Sequence, residues 1–188
     1  MKQIYFIRHS IRDTSIQDDL TAPLTLKGQQ LAEELKRIIN LEYVDKIYSS
    51  PCVRAVQTVE PISESISKPI IIKKNLRERE INEWLIDFDE FAKKQWDDKN
   101  FKTNCGESLV EVRKRAVTCF EEIVTDSSQK VVISSHGTFL ACLFHELTSG
   151  QFGYPDFLNM TQPDVYLGLF DEKNQLIELK RKTISSLT

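Results

Sequence analysis

Ile4-Tyr5-Phe6-Ile7-Arg8-His9 opens the chain with four apolar residues and ends on an arginine and a histidine side by side. The run reads as a buried first strand over residues 2–8, so Arg8 and His9 arrive at its carboxyl end. Ligands of open α/β sheets bind at the carboxyl ends of the strands. The same grammar returns in Val131-Val132-Ile133-Ser134-Ser135-His136-Gly137, a near-continuous apolar run of the kind buried on both faces, followed by a second histidine. The chain has only three histidines, and two of them stand at strand ends.

Outward from these two strands, the pattern alternates. A polar loop over 10–23 leads to Thr25, which suits a helix cap, because Leu31, Leu35, Ile38 and Ile39 recur at helical spacing. Residues 45–49 read as a strand, and Pro51 opens a helix through about residue 66, since proline is tolerated at a helix start. Ile70 to Lys73 reads as a third strand, 88–98 as a weaker helix, 108–123 as an amphipathic helix, and 138–147 as the helix after the second histidine. Two strands, 165–170 and 176–179, flank the turn residues Asp171 to Asn174 and predict a hairpin. The pattern is a mostly parallel α/β sheet with an antiparallel edge, in one domain over 1–188 without internal repeats.

Composition narrows the function. With 25 Lys and Arg against 28 Asp and Glu, the net charge is −3 and the charges are interspersed, which argues against a nucleic-acid or anionic membrane surface. Any cationic site must be local. Four cysteines without a CxxC pair, and no apolar leader, predict a reduced, cytoplasmic protein with no membrane span. Two histidines without a third ligand at metal spacing predict no metal site.

Arg54 falls in the first turn of the helix after Ser49-Ser50-Pro51, where free backbone N–H groups and a guanidinium together favour a phosphate. Glu78, in Leu76-Arg77-Glu78, follows the third strand. These elements, with Leu24 to Gln29, Trp84, Gly106-Glu107-Ser108 and Ser135-His136-Gly137, occur in an order that resembles the histidine phosphatase superfamily, the phosphoglycerate-mutase-like proteins whose RHG motif lies near the N-terminus.

The resemblance implies a three-layer sandwich with helices on both faces of the sheet. It implies that His9 is the nucleophile that becomes phosphohistidine, that Arg8, Arg54 and His136 bind phosphate oxygens, with His136 also catalytic, and that Glu78 protonates the leaving oxygen. It implies no cofactor, and a small phosphomonoester as substrate. A group of cations suits this chemistry, because phosphoryl transfer spreads negative charge over three equatorial oxygens. Phosphate monoester hydrolysis asks for acceleration of up to ~10²¹, whereas one general acid supplies about 10² to 10⁴.

Departures from the family pattern point to the substrate. Ser10 stands where the family has glycine, and would add a hydroxyl beside the phosphate. Arg12 is a candidate for a second anionic group on the substrate, and Gly137 is a further candidate for substrate contact. Asn82 stands where the family often has glycine, and Glu80 and Glu83 are rivals to Glu78 as the acid. A phosphoglycerate-type mutase is the nearest alternative, disfavoured because residues 82–105 hold no arginine. A non-catalytic phospho-ligand binding protein is the alternative of another class. Oligomeric state is not legible in the pattern.

Overall fold

The computed structural model describes residues 1–82, 85, 87–126 and 128–182; Glu83 and Trp84 lie outside them. In chain order the elements are β1 (Lys2–Arg8), α1 (Leu26–Glu34), β2 (Lys46–Ser49), α2 (Val53–Ile66), β3 (Ile70–Ile72), α3 (Phe88–Asp97), α4 (Leu109–Val124), β4 (Lys130–Ser135), α5 (Gly137–Leu147), α6 (Tyr154–Leu158), β5 (Asp164–Phe170) and β6 (Leu176–Lys182). The six strands form one sheet in the order β3-β2-β4-β1-β5-β6. β1–β4, β2–β4 and β2–β3 are parallel, whereas β1–β5 and β5–β6 are antiparallel.

Alternation along β1 builds both faces. Ile4 and Phe6 enter a cluster with Phe120, Ile123, Leu140 and Phe144 from α4 and α5. Tyr5 and Ile7 enter the opposite cluster with Leu35, Ile39, Val59 and Ile62, from the segment around α1 and from α2. A strand points successive side chains to opposite faces, so a run that is apolar at every position needs cover on both sides. The result is the expected three-layer α/β sandwich. Among the described residues no helix is long and apolar enough to cross a membrane.

Several boundaries differ from the sequence reading for local reasons. α1 ends at Glu34 and tightens into a 3-10 turn over Leu35–Arg37 instead of continuing to residue 39. Cys52, not Pro51, is the N-cap of α2, and that helix holds Pro61 in its interior. Proline removes one N–H there, but the buried side chains Ala55, Val59 and Ile62 still pack as one face. β6 reaches Lys182, beyond the expected Leu179, and α6 lies in a stretch with no helical periodicity in the sequence.

Candidate active site

The parallel register sets the site. Arg8 pairs with Ser135 across β1 and β4, and Ser49 pairs with Ser134 across β2 and β4. His9, Ser50 and His136 therefore leave three neighbouring strands at one level. The His9 N–H donates to the Ser135 carbonyl at 2.9 Å, which extends the ladder one residue past β1.

His9 is 5 % exposed, and its Nδ1 lies 2.7 Å from the Ser10 carbonyl. A carbonyl only accepts, so Nδ1 holds the ring proton and Nε2 keeps a lone pair. Arg54 Nε donates to that Nε2 at 3.2 Å. Burial, followed by the charges of Arg54, Arg8 and Arg12, pushes the His9 pKa well below its ordinary value, partly opposed by the Ser10 bond. The imidazole is neutral, with its Nε2 lone pair turned to Arg54.

His136 is the N-cap of α5 and fully buried. Arg54 Nη2 is 3.1 Å from its Nδ1, and its Nε2 is 2.7 Å from Ser50 Oγ. The guanidinium can only donate, so Nδ1 accepts and Nε2–H donates to the serine. Burial comes first, then His9 and Arg54, in driving the His136 pKa well below its ordinary value. The two imidazoles stand 5.1 Å apart between centroids at 63°.

Arg54, in the first turn of α2, is 1 % exposed. Arg8 donates through Nη1 to the Met160 carbonyl at 2.8 Å, while its buried Nε has no partner among the described residues. Gly137 makes the room for this side chain. A Cβ there would lie 3.0 Å from Arg8 Cζ and Nε, closer than ordinary packing allows. The structure thus gives Gly137 a clearance role beside Arg8.

Glu78 follows the turn after β3 and reaches the amino end of α5. Its Oε2 accepts from Thr138 N at 3.1 Å, and its Oε1 accepts from Phe139 N at 3.1 Å and Arg79 N at 2.7 Å. The carboxyl thus sits directly beyond His136. Glu80 is exposed and pairs with Arg77 at 3.2 Å instead. Glu107 is not at the cleft: it accepts from Arg77 at 2.6 and 3.1 Å, and from Arg115 at 2.9 and 2.8 Å. Those two guanidiniums also donate to the Glu78 carbonyl, at 3.1 and 3.4 Å. Glu107 thereby braces the Glu78 backbone from behind.

Ser10 corrects an expectation. Its hydroxyl donates to the Gly28 carbonyl at 2.8 Å and its N–H to Thr58 Oγ1 at 2.9 Å, so the side chain ties the loop to α1 instead of lining the phosphate place. Gly28 is required on the other side, because a Cβ would meet the Ile11 carbonyl oxygen at 2.3 Å. Asn82 takes φ +56°, a left-handed conformation that asparagine tolerates better than most side chains.

Arg12 donates through Nη1 to Asp19 Oδ1 at 2.9 Å and through Nη2 to the Ile16 carbonyl at 3.2 Å. Asp19 also lies 3.0 Å from Arg54 Nη2, and its carbonyl accepts from Arg54 Nη1. Sequence reasoning missed Asp19 and Ser50. The available signals were an acid in a loop next to the RH pair, and a serine at a strand end matching Ser135.

The fold and the site match known proteins. The family description "Histidine phosphatase superfamily (branch 1)" matches residues 4–181. A relative named "Putative phosphoserine phosphatase 2", from Hydrogenobacter thermophilus, is 27 % identical over 161 residues, 79 % of each chain. A glucosyl-3-phosphoglycerate phosphatase of Mycolicibacterium vanbaalenii is 25 % identical over 163 residues, 76 % of this chain and 72 % of that protein. Among solved structures, phosphoserine phosphatase from Entamoeba histolytica in complex with 3-phosphoglyceric acid superposes with a TM-score of 0.79 over 100 % of both chains at 20 % identity. The native mycobacterial glucosyl-3-phosphoglycerate phosphatase gives 0.77 over 96 % of both at 21 %. Those two likenesses establish the fold. With the family pattern running from β1 through β6, the chain belongs to branch 1 of the histidine phosphatase superfamily.

Proposed function

We propose that this phosphatase hydrolyses small phosphorylated metabolites by two displacements at phosphorus, with His9 as the nucleophile and no metal ion. In the first, His9 Nε2 attacks phosphorus, the bond to the leaving oxygen breaks, and Glu78 gives that oxygen a proton. In the second, water attacks the phosphohistidine, Glu78 takes the proton back, and phosphate leaves as the N–P bond breaks. Arg8, Arg54 and His136 hold the non-bridging oxygens, the charge of the two guanidiniums serving where the transition state is most negative.

The observation that carries this reading is the His9 tautomer. The Ser10 carbonyl fixes the proton on Nδ1, and burial with neighbouring cations keeps the ring neutral, so the nitrogen facing Arg54 is the nucleophilic one. The relatives named for phosphoserine and glucosyl-3-phosphoglycerate support a small phosphomonoester as the substrate class. Rapid alkaline quenching after mixing with a ³²P-labelled phosphomonoester should leave label on His9. His9→Ala should lose the label and at least about 10³ of turnover; label that persists in that variant refutes the mechanism.

A further inference from the structure

The loop between β1 and α1 turns back into the site and delivers an anion to it. Its turn is fixed by Asp18, whose Oδ1 accepts from Thr21 N at 2.8 Å and Thr21 Oγ1 at 2.7 Å. Val53 N donates to the Leu20 carbonyl at 2.9 Å, which ties the loop to the start of α2. Asp19 is thereby presented to Arg54. Its carbonyl accepts from Nη1, and its Oδ1 lies 3.0 Å from Nη2 and 2.9 Å from Arg12 Nη1. The same Arg54 Nη2 is 3.1 Å from His136 Nδ1. A carboxylate oxygen therefore stands on Nη2 of Arg54, a guanidinium that the reading above gives to the phosphate oxygens.

Arg54 is almost fully buried, so an anion held on it is poorly screened, and a carboxylate and a phosphate dianion within a few ångströms repel strongly. The Asp19 side chain itself is 58 % exposed, and its second cation, Arg12, is 24 % exposed, so solvent reaches the carboxylate on the side away from Arg54. Backbone ties hold the loop, while the carboxylate itself is held only by side chains: Arg12 and Arg54 on Oδ1 and the Cys52 thiol, 4.0 Å away, on Oδ2. This combination, a fixed tether with a solvent-facing head, differs from an ordinary surface ion pair, where both partners are wet.

We propose that Asp19 is a tethered competitor for the phosphate place. The entering phosphoryl group displaces its carboxylate from Arg54 Nη2, and the carboxylate returns to that donor as phosphate departs. Asp19 thereby weakens the hold on inorganic phosphate, the product, and limits product inhibition. The proposal rests on the phosphate pocket assigned above.

Titration calorimetry of the full chain with inorganic phosphate, at fixed pH and ionic strength, tests it. Asp19→Asn and Asp19→Ala should bind phosphate about three- to tenfold more tightly than the wild type, with the inhibition constant of phosphate falling in step. Asp19→Glu, which restores a carboxylate, should stay closer to the wild type. Unchanged affinity would make Asp19 an idle surface partner, and weaker binding would mean that it holds Arg54 in place for phosphate; either result overturns the proposal alone. A wild type with no measurable phosphate affinity would remove the pocket assignment and this proposal together. Melting temperatures close to the wild type establish that the comparison is between folded proteins.

Discussion

Gly137 shows how little space the anion site allows. Its missing Cβ leaves room for the Arg8 guanidinium, whose Nε is already buried without a partner among the described residues. In Gly137→Ala the new methyl group meets Arg8 at the atoms that would face phosphate, so Arg8 must shift. Kinetics of that variant should show kcat/KM lower by roughly 10- to 100-fold, the scale of a misplacement near 1 Å, with little change in melting temperature. Arg8, His9, Arg54 and His136 were legible in the sequence because each follows a strand or opens a helix, and periodicity locates those boundaries. Asp19 was not legible, since it enters the cleft through a loop whose path depends on contacts with Val53 and Arg54. Ser10 was misread for a related reason: its hydroxyl faces Gly28, and only the packing of α1 against the loop shows that.

Between elements, the carboxylate of Glu107 joins the start of α4 to the segment after β3. It accepts from Arg77 and Arg115 and from the Glu80 N–H at 3.0 Å, while Arg115 also donates to the Asn75 and Arg77 carbonyls at 2.8 and 2.9 Å. Burial by itself would raise its pKa, yet the hydrogen bonds from Arg115 and then Arg77 outweigh it and bring the value from 4.5 to about 2. Glu107→Gln leaves Arg115 without its anion and Arg77 with the exposed Glu80 in place of two carboxylates. Denaturant titration should show a loss of about 3 kcal/mol, the lower end for removing one partner of a buried pair, because Glu107 keeps some contact with water. The sign of the pH effect follows from the lowered folded value. The contribution is complete above about 4.5 and disappears as the pH falls toward 2, so the wild type should lose its advantage over the variant across that acid range. This role of Glu107 is not legible in the sequence, because residues 77, 107 and 115 converge only after α4 docks.

Across the whole molecule, a chain of net charge −3 collects Arg8, Arg12 and Arg54 around two buried imidazoles. The fold was more legible than the cleft's rim: β1, β4 and the closing hairpin carry strong two-sided or alternating patterns, whereas α6 has almost none. Burial lowers both histidine pKa values in the folded state, so below about 6.5 the unfolded chain binds protons that the folded one refuses. Stability should therefore decline as the pH drops through that range, and His136→Gln should flatten the decline in chemical denaturation measured from pH 7 to 5. The spacing of the two imidazoles has a further origin in the sheet. His9 and His136 each follow a member of the Arg8–Ser135 pair on adjacent parallel strands, and their 5.1 Å separation is close to the ~4.8 Å between neighbouring strands. The register sets which backbone positions stand side by side, and the side chains then bring the rings together. Inserting one residue in either strand would move its histidine by about 3.3 Å and turn it to the other face. The placement of the two histidines is thus protected against gradual drift, and new substrate preferences in this scaffold have to be written in the loops around them.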